Sequence, residues 1–343
     1  MSEGNIRAAF ATQATWCRRL GGTFTADLCM TLARVLDRST AVGARVLDWS
    51  GDPIADALAL RLVGGLNGLV RAGSLSELAA LYPPQPVGDT ADFARRVAAA
   101  LDDNRLLPWL DSPPQTNEVA RSAVLMPGLM AVAAATVLPL RLFELGASAG
   151  INLRLDHYRY DFNGMKVGPN DAPVVLRPDW RGPPPPDAKV VVVGRRGVDL
   201  VPVDARDADH LLAYVWPEQI DRVARLSAAL AAFVADPAAI DAGDAAAWTE
   251  ANVTVVEGAT TVVFHSIAFQ YFPVATQARI VAHLAAVGAS ATAVAPLAWL
   301  RFEMDAAASV AALPALRLTL WPGGEDRLLA RAHPHGASVE WLG

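Results

Sequence analysis

Lysine is almost absent. Lys166 and Lys189 are the only two, so 27 of the 29 basic residues are arginine, and these form no basic block. The net charge is −6. Such a chain lacks the cationic stripe that a phosphate backbone requires, which excludes nucleic acid as its expected main partner. Cysteine is also scarce. Cys17 and Cys29 stand alone without C-x-x-C spacing, which argues against a disulfide framework or a thiolate metal site. Two buried thiols in a reducing cytoplasm are expected instead. His333 and His335 flank a proline turn with no third ligand near them in sequence, so no metal is expected. The first residues show no charged flank followed by an apolar core, hence no expected signal peptide. The longest apolar run, 125–140, contains Pro127, Gly128 and Pro139. It reads as too short and too broken to span a membrane. There is no internal repeat.

Apolar residues, by contrast, are plentiful. They make up 53% of 343 residues, enough for one large domain or two ordinary ones. Up to about residue 136 the apolar spacing is helical. Helices are expected at 6–20, at 25–36 with Thr23 or Thr25 as N-cap, at 54–70, from a Ser74 cap to 81, at 91–101, and at 118–135 with a kink at Pro127. No period-2 strand stands out before Leu140. From there on, strands alternate with helices, which predicts a mostly parallel, covered sheet. Strands are expected at 189–193, 197–204, 239–244, 260–264 and 293–302, with a helix at 217–233. Hairpin-like strands at 316–321, 327–332 and 338–341 would form an antiparallel C-terminal edge. The stretch 157–197 is irregular and contains Asn163-Gly164, a hairpin signal. The expected division is a helical lid or substrate domain over 1–136 and a sheet domain over 137–343.

One stretch organises the rest: an apolar strand from Leu140, the small residues Gly146-Ala147-Ser148-Ala149-Gly150, then Ile151-Asn152 opening a further element, expected to be a helix. Bare backbone at such a turn admits a ligand, and a helix start offers unpaired N–H groups. A dinucleotide turn wants G-x-G-x-x-G, which this lacks. The nucleophile elbow G-x-S-x-G matches literally and would make Ser148 the attacking group. The S-adenosylmethionine turn, Glu-x-Gly-x-x-x-Gly, matches at Glu144, Gly146 and Gly150, with Ala147, Ser148 and Asn152 inside or beside it. A hydrolase sheet would set several strands before its elbow, whereas this turn follows the first strand. That comparison of folds favours the third reading.

In open α/β sheets ligands sit beyond the carboxyl ends of the strands. Those ends deliver Glu144, then Asp199 or Asp204, then Asp244 with Ala245, then His265, Ser266, Gln270 and Tyr271, and finally Arg301 and Glu303. A carboxylate after the second strand suits ribose hydroxyls, and one after the third suits an adenine amino group. His265 is a candidate general base, because imidazole titrates near neutrality; a satisfied core histidine is the plainer alternative. Asn117, Glu118 and Arg121 open the helix before the turn, as a helix N-terminus or as a polar wall of a substrate site.

Five segments taken together resemble the bacterial family catalogued as domain of unknown function 2332. They are Leu142-Phe143-Glu144-Leu145-Gly146-Ala147-Ser148-Ala149-Gly150-Ile151-Asn152-Leu153, Thr116-Asn117-Glu118-Val119-Ala120-Arg121-Ser122, Tyr214-Val215-Trp216-Pro217-Glu218-Gln219, Val262-Val263-Phe264-His265-Ser266 with Gln270-Tyr271, and Trp321-Pro322-Gly323-Gly324. The resemblance implies a core similar to Rossmann-like S-adenosylmethionine methyltransferases. It would set Glu144, Gly146 and Gly150 at the cofactor's methionine end, Asp199 or Asp204 at ribose and Asp244 at adenine. The expected function is methyl transfer from S-adenosylmethionine to a small molecule. The alternatives are a serine hydrolase using Ser148 and a non-catalytic module that binds a nucleoside, S-adenosylmethionine or a partner.

Overall fold

The computed structural model describes residues 2–86, 88–111, 113–115, 117–304 and 313–343. Thr116, which begins one of the five segments above, lies outside them. The chain divides into two compact units.

The first unit comprises residues up to 116 together with 207–227. Its helices are α1 (Glu3–Arg19), α2 (Thr23–Val35), α3 (Ala41–Leu47), α4 (Leu58–Arg71), α5 (Ser76–Ala79), α6 (Thr90–Ala100), α7 (Leu107–Asp111) and, from the later segment, α9 (Ala208–Ala213) and the first half of α10 (Ile220–Ala235). Buried Ile6, Phe10, Ala14 and Cys17 fall at helical spacing on α1 and meet Leu28, Leu32, Leu62 and Leu66 in one core. Both cysteines are free and buried.

Two expected caps are corrected. The N-cap of α2 is Gly22, which has no side chain, and that of α5 is Leu75, not Ser74. Thr25 instead donates its N–H and hydroxyl, at 2.9 Å each, to the Glu218 carboxylate. A residue almost two hundred positions away therefore caps α2. Glu218→Ala should leave those donors unpaired and cost about 1–2 kcal/mol. Chemical denaturation followed by far-UV circular dichroism would measure it; an unchanged midpoint would refute the capping role.

The second unit holds 117–206 and 228–343, so the helix before the turn belongs with the sheet, and the boundary falls near 116 instead of 136. This helix, α8 (Ser122–Thr136), is continuous through Pro127 and Gly128. Neither residue breaks it. Gly128 lets it approach the sheet, since a Cβ there would meet Leu300 Cδ1 at 2.7 Å. Helical residues Val119–Thr136 are long and apolar enough to cross a membrane, and 78% of that stretch is buried inside the protein.

The strands are β1 (Leu140–Leu145), β2 (Arg159–Phe162), β3 (Met165–Val167), β4 (Val175–Leu176), β5 (Asp179–Arg181), β6 (Val192–Asp199), β7 (Ala239–Ala242), β8 (Thr260–Ser266), β9 (Leu297–Glu303), β10 (Ala315–Trp321), β11 (Glu325–Ala332) and β12 (Ser338–Trp341). Nine of them form one sheet in the order β5-β12-β11-β10-β9-β8-β1-β6-β7. The strands β7, β6, β1, β8 and β9 are parallel, and β10 to β12 continue antiparallel. The mostly parallel sheet with an antiparallel C-terminal edge is therefore present. Sequence periodicity did not anticipate β5, which returns from the irregular stretch to pair parallel with β12. That stretch also forms a small sheet, β3-β2-β4, whose hairpin turns at Asn163 and Gly164, both with positive φ as a two-residue turn of this kind needs.

Side-chain alternation sorts the two faces of the large sheet. Phe143, Leu145, Val263, Leu297 and Trp299 pack with α11 (Ala245–Asn252) and α12 (Val274–Ala289). Leu140, Leu142 and Glu144 point the other way, as does Leu300, which meets α8. In chain order the five parallel strands run third, second, first, fourth, fifth. The order thus reverses between β1 and β8.

Candidate functional site

At that reversal β1 ends in Glu144 and the glycine turn. Instead of an α-helix, a 3-10 segment with an internal kink follows, Ile151–His157. Gly146, Ser148 and Gly150 all have positive φ. The turn's amides are already engaged. The N–H groups of Gly146 and Ala147 donate to the Val198 carbonyl, that of Ser148 to Asp199 Oδ2 at 2.8 Å, that of Ala149 to Asn117 Oδ1 at 3.2 Å, and that of Gly150 to the Ala147 carbonyl. Open N–H groups were expected here. The structure corrects this for residues 146–150: four of these amides tie the turn to the end of β6 and to Asn117, and that of Gly150 closes the turn on itself.

Glu144 is 2% exposed, and its Oε2 is buried without a hydrogen-bond partner. Burial pushes its carboxyl well above the ordinary range. The Asp199 charge adds to this, while the Asn152 amide and the Arg121 guanidinium oppose it. Asn152 Oδ1 accepts from the Ser122 hydroxyl at 2.8 Å. Arg121 directs its own hydrogen bonds to the Pro334 and Ser266 carbonyls. Asn117 Nδ2 donates to Ser148 Oγ at 3.1 Å, and Glu118 Oε1 accepts from the Ala120 N–H as a helix cap. The structure thus gathers Glu144, Gly146, Ala147, Ser148, Gly150, Asn152, Asp199, Asn117, Arg121 and Ser266 around one strand end. Ser122 and Tyr158 join them unannounced by the sequence. The Tyr158 hydroxyl donates to the Ile151 carbonyl at 2.7 Å, bracing the turn from below. Neither has a spacing signal, because the partners are joined only by the fold.

Other candidates are placed differently. His265 lies on the opposite sheet face from Glu144. It is fully buried; Nδ1 is 2.6 Å from Glu303 Oε1, and Nε2 accepts from the Trp299 indole N–H at 3.1 Å. With Nε2 accepting, Nδ1 carries the proton and no lone pair is left to act as a base. The catalytic assignment of His265 is thereby corrected to the satisfied-core alternative. Glu303 Oε1 also accepts from the Ala268 and Phe269 N–H groups. Its role is to fix the loop after β8, and that loop rests on the glycine turn.

Arg301 pairs with Asp326 and Thr319 and lies over the Trp299 ring. Gln270 and Tyr271 are exposed. Asp204 is exposed and paired with Arg206, which holds its carboxyl below the usual range. It sits five residues beyond the end of β6, whereas Asp199 ends that strand. Asp244 is the N-cap of α11, accepts from the Thr276 hydroxyl, and has its carboxyl lowered mainly by the Ala247 N–H. Ala245 is buried behind it.

Beside Ala149 a cleft of about 520 Å3 opens between residues 202–206 and the segment from Phe233 to Ile240. That volume suits a small molecule. Glu144 and Asp244 do not line it.

These observations define an α/β protein whose polar cluster lies at the order reversal of a mostly parallel sheet, the usual ligand position in such sheets. The chain belongs to the bacterial family described as "Uncharacterized protein conserved in bacteria (DUF2332)", which matches residues 7–341. No curated protein and no solved structure matches it.

Proposed function

We propose that this protein binds S-adenosylmethionine at the end of β1 and transfers its methyl group to a small molecule. The observation that carries the reading is Glu144, buried with an unpartnered oxygen at the strand-order reversal. Asp199 ends the neighbouring strand, with its carboxylate on the turn. This pairing fits a ligand with a polar or cationic end at Glu144 and a ribose beyond it. Asp199 is a better ribose candidate than Asp204, which Arg206 occupies. Asp244 would reach adenine only by sharing its capping role. With His265 satisfied in the core, the reading assigns no general base, and the acceptor has to present its own lone pair.

One observation favours the hydrolase reading: Ser148 has a φ of 52°, a strained conformation of the sort an elbow nucleophile adopts. Two oppose it. The turn's amides are engaged and form no oxyanion hole, and His265 has no lone pair to accept the serine proton. Ser148→Ala separates the readings. It should weaken S-adenosylmethionine binding, measured by calorimetry, by no more than about tenfold, since a neutral hydrogen bond is worth about 1 kcal/mol. Labelling of Ser148 by a fluorophosphonate probe would overturn the methyltransferase reading. Absence of binding to S-adenosylmethionine and S-adenosylhomocysteine at millimolar concentration would overturn it too.

A further inference from the structure

The buried Glu144 carboxyl has a consequence for how a ligand enters. Oε2 has no partner, and the groups facing it come from four elements: Asp199 at the end of β6, Arg121 from the turn Val119–Arg121, Asn152 from the segment Ile151–His157, and Tyr158 just after that segment. Arg121 favours the charged form of Glu144, while also donating to two backbone carbonyls. The Tyr158 hydroxyl is committed to the Ile151 carbonyl. The buried Glu144 carboxyl therefore has the Asp199 carboxylate as a charged neighbour. A bare second negative charge is unfavourable there.

We infer that Glu144 is a proton-exchange site: the ligand-free protein holds it as a neutral acid, and a cationic group, an ammonium or a sulfonium, takes the place of its proton. The exchange balances. The neutral acid and the cation become a carboxylate–cation pair, and one proton leaves to the buffer. The charge of the buried site stays constant, so the cation enters without leaving an unpaired charge in the protein interior. Burial and the Asp199 charge both raise the Glu144 carboxyl, in the direction this needs. The inference rests on the proposed binding site and adds to it the charge class of the ligand and a pH dependence. Below the ligand-free Glu144 pKa, affinity should rise about tenfold per pH unit, because each binding event releases one proton.

Infrared difference spectra between wild type and the isosteric Glu144→Gln protein, both ligand-free at neutral pH, test the first half. A protonated-carboxyl band present only in wild type is expected; its absence overturns the inference with or without a ligand. S-adenosylmethionine should then abolish the band. Calorimetry in two buffers of different ionisation enthalpy should count about one proton released per ligand, and none in Glu144→Gln. Binding with the band intact and no proton released overturns the exchange and leaves the proposed function standing. If S-adenosylmethionine does not bind, the proposed function falls, and trimethylsulfonium serves as the bare cationic probe. Loss of the band with that probe would sustain the exchange; a persistent band would overturn it as well.

Discussion

Gly146→Ala is expected to destabilise the protein by roughly 2–5 kcal/mol, combining backbone strain and overpacking, and to abolish ligand binding at the turn. Two separate physical effects add. Gly146 has a φ of 72°, which costs an L-residue about 1–2 kcal/mol. A Cβ would also come within 2.7 Å of the Ala268 Cβ, forcing the turn away from the loop after β8 at a further cost of about 1–3 kcal/mol. Removing the opposing methyl separates the two. Gly146→Ala with Ala268→Gly should recover the steric part and leave the conformational part. Urea unfolding of the single and double variants measures both. If the double variant is no more stable than Gly146→Ala, the close approach to Ala268 is not a source of the loss.

Glu303→Ala should cost roughly 3 kcal/mol, since buried donors left unpaired cost about 1–3 kcal/mol each. One oxygen of Glu303 accepts from His265 and from the N–H groups of Ala268 and Phe269. The histidine is fully buried and finds no water in exchange, while the two loop amides are partly exposed and can. Glu303→Gln keeps an acceptor oxygen and should lose much less. Thermal unfolding of both variants checks this. An equal loss in the two would mean that the carboxylate charge, not the acceptor, holds the loop. In ligand-binding assays Glu303→Ala should also weaken the β1 site indirectly, because Ala268 packs against Gly146. His265→Ala should follow the same pattern, acting on stability rather than as loss of a proton acceptor.

Local pattern made several features legible. The apolar run at Leu140, the small residues after it and the Asn163-Gly164 hairpin are written in spacing and in glycine's tolerance of positive φ, so the strand, the turn and the hairpin follow from neighbours in sequence. Alternating strands and helices likewise dictate a mostly parallel sheet, and the three terminal strands an antiparallel edge. Pro127 lies inside α8, whose packing against Leu300 accompanies a helix that runs on through the proline, as the apolar spacing of 118–135 predicts. The family, too, could be recognised from the same motif segments.

Tertiary structure alone decided what those residues do. Alternation along β1 and β8 put Glu144 on one face and His265 on the other, a consequence of register that neither motif contains. Asn117, Val198 and Asp199 took the amides that the turn would otherwise offer a ligand, and Glu218 took the cap of α2, across separations of 30 to almost 200 residues. Sequence fixes propensities between near neighbours. A hydrogen bond, by contrast, is made to whichever partner the packed chain brings within about 3 Å. Burial then determines whether a carboxyl such as Glu144 keeps its proton.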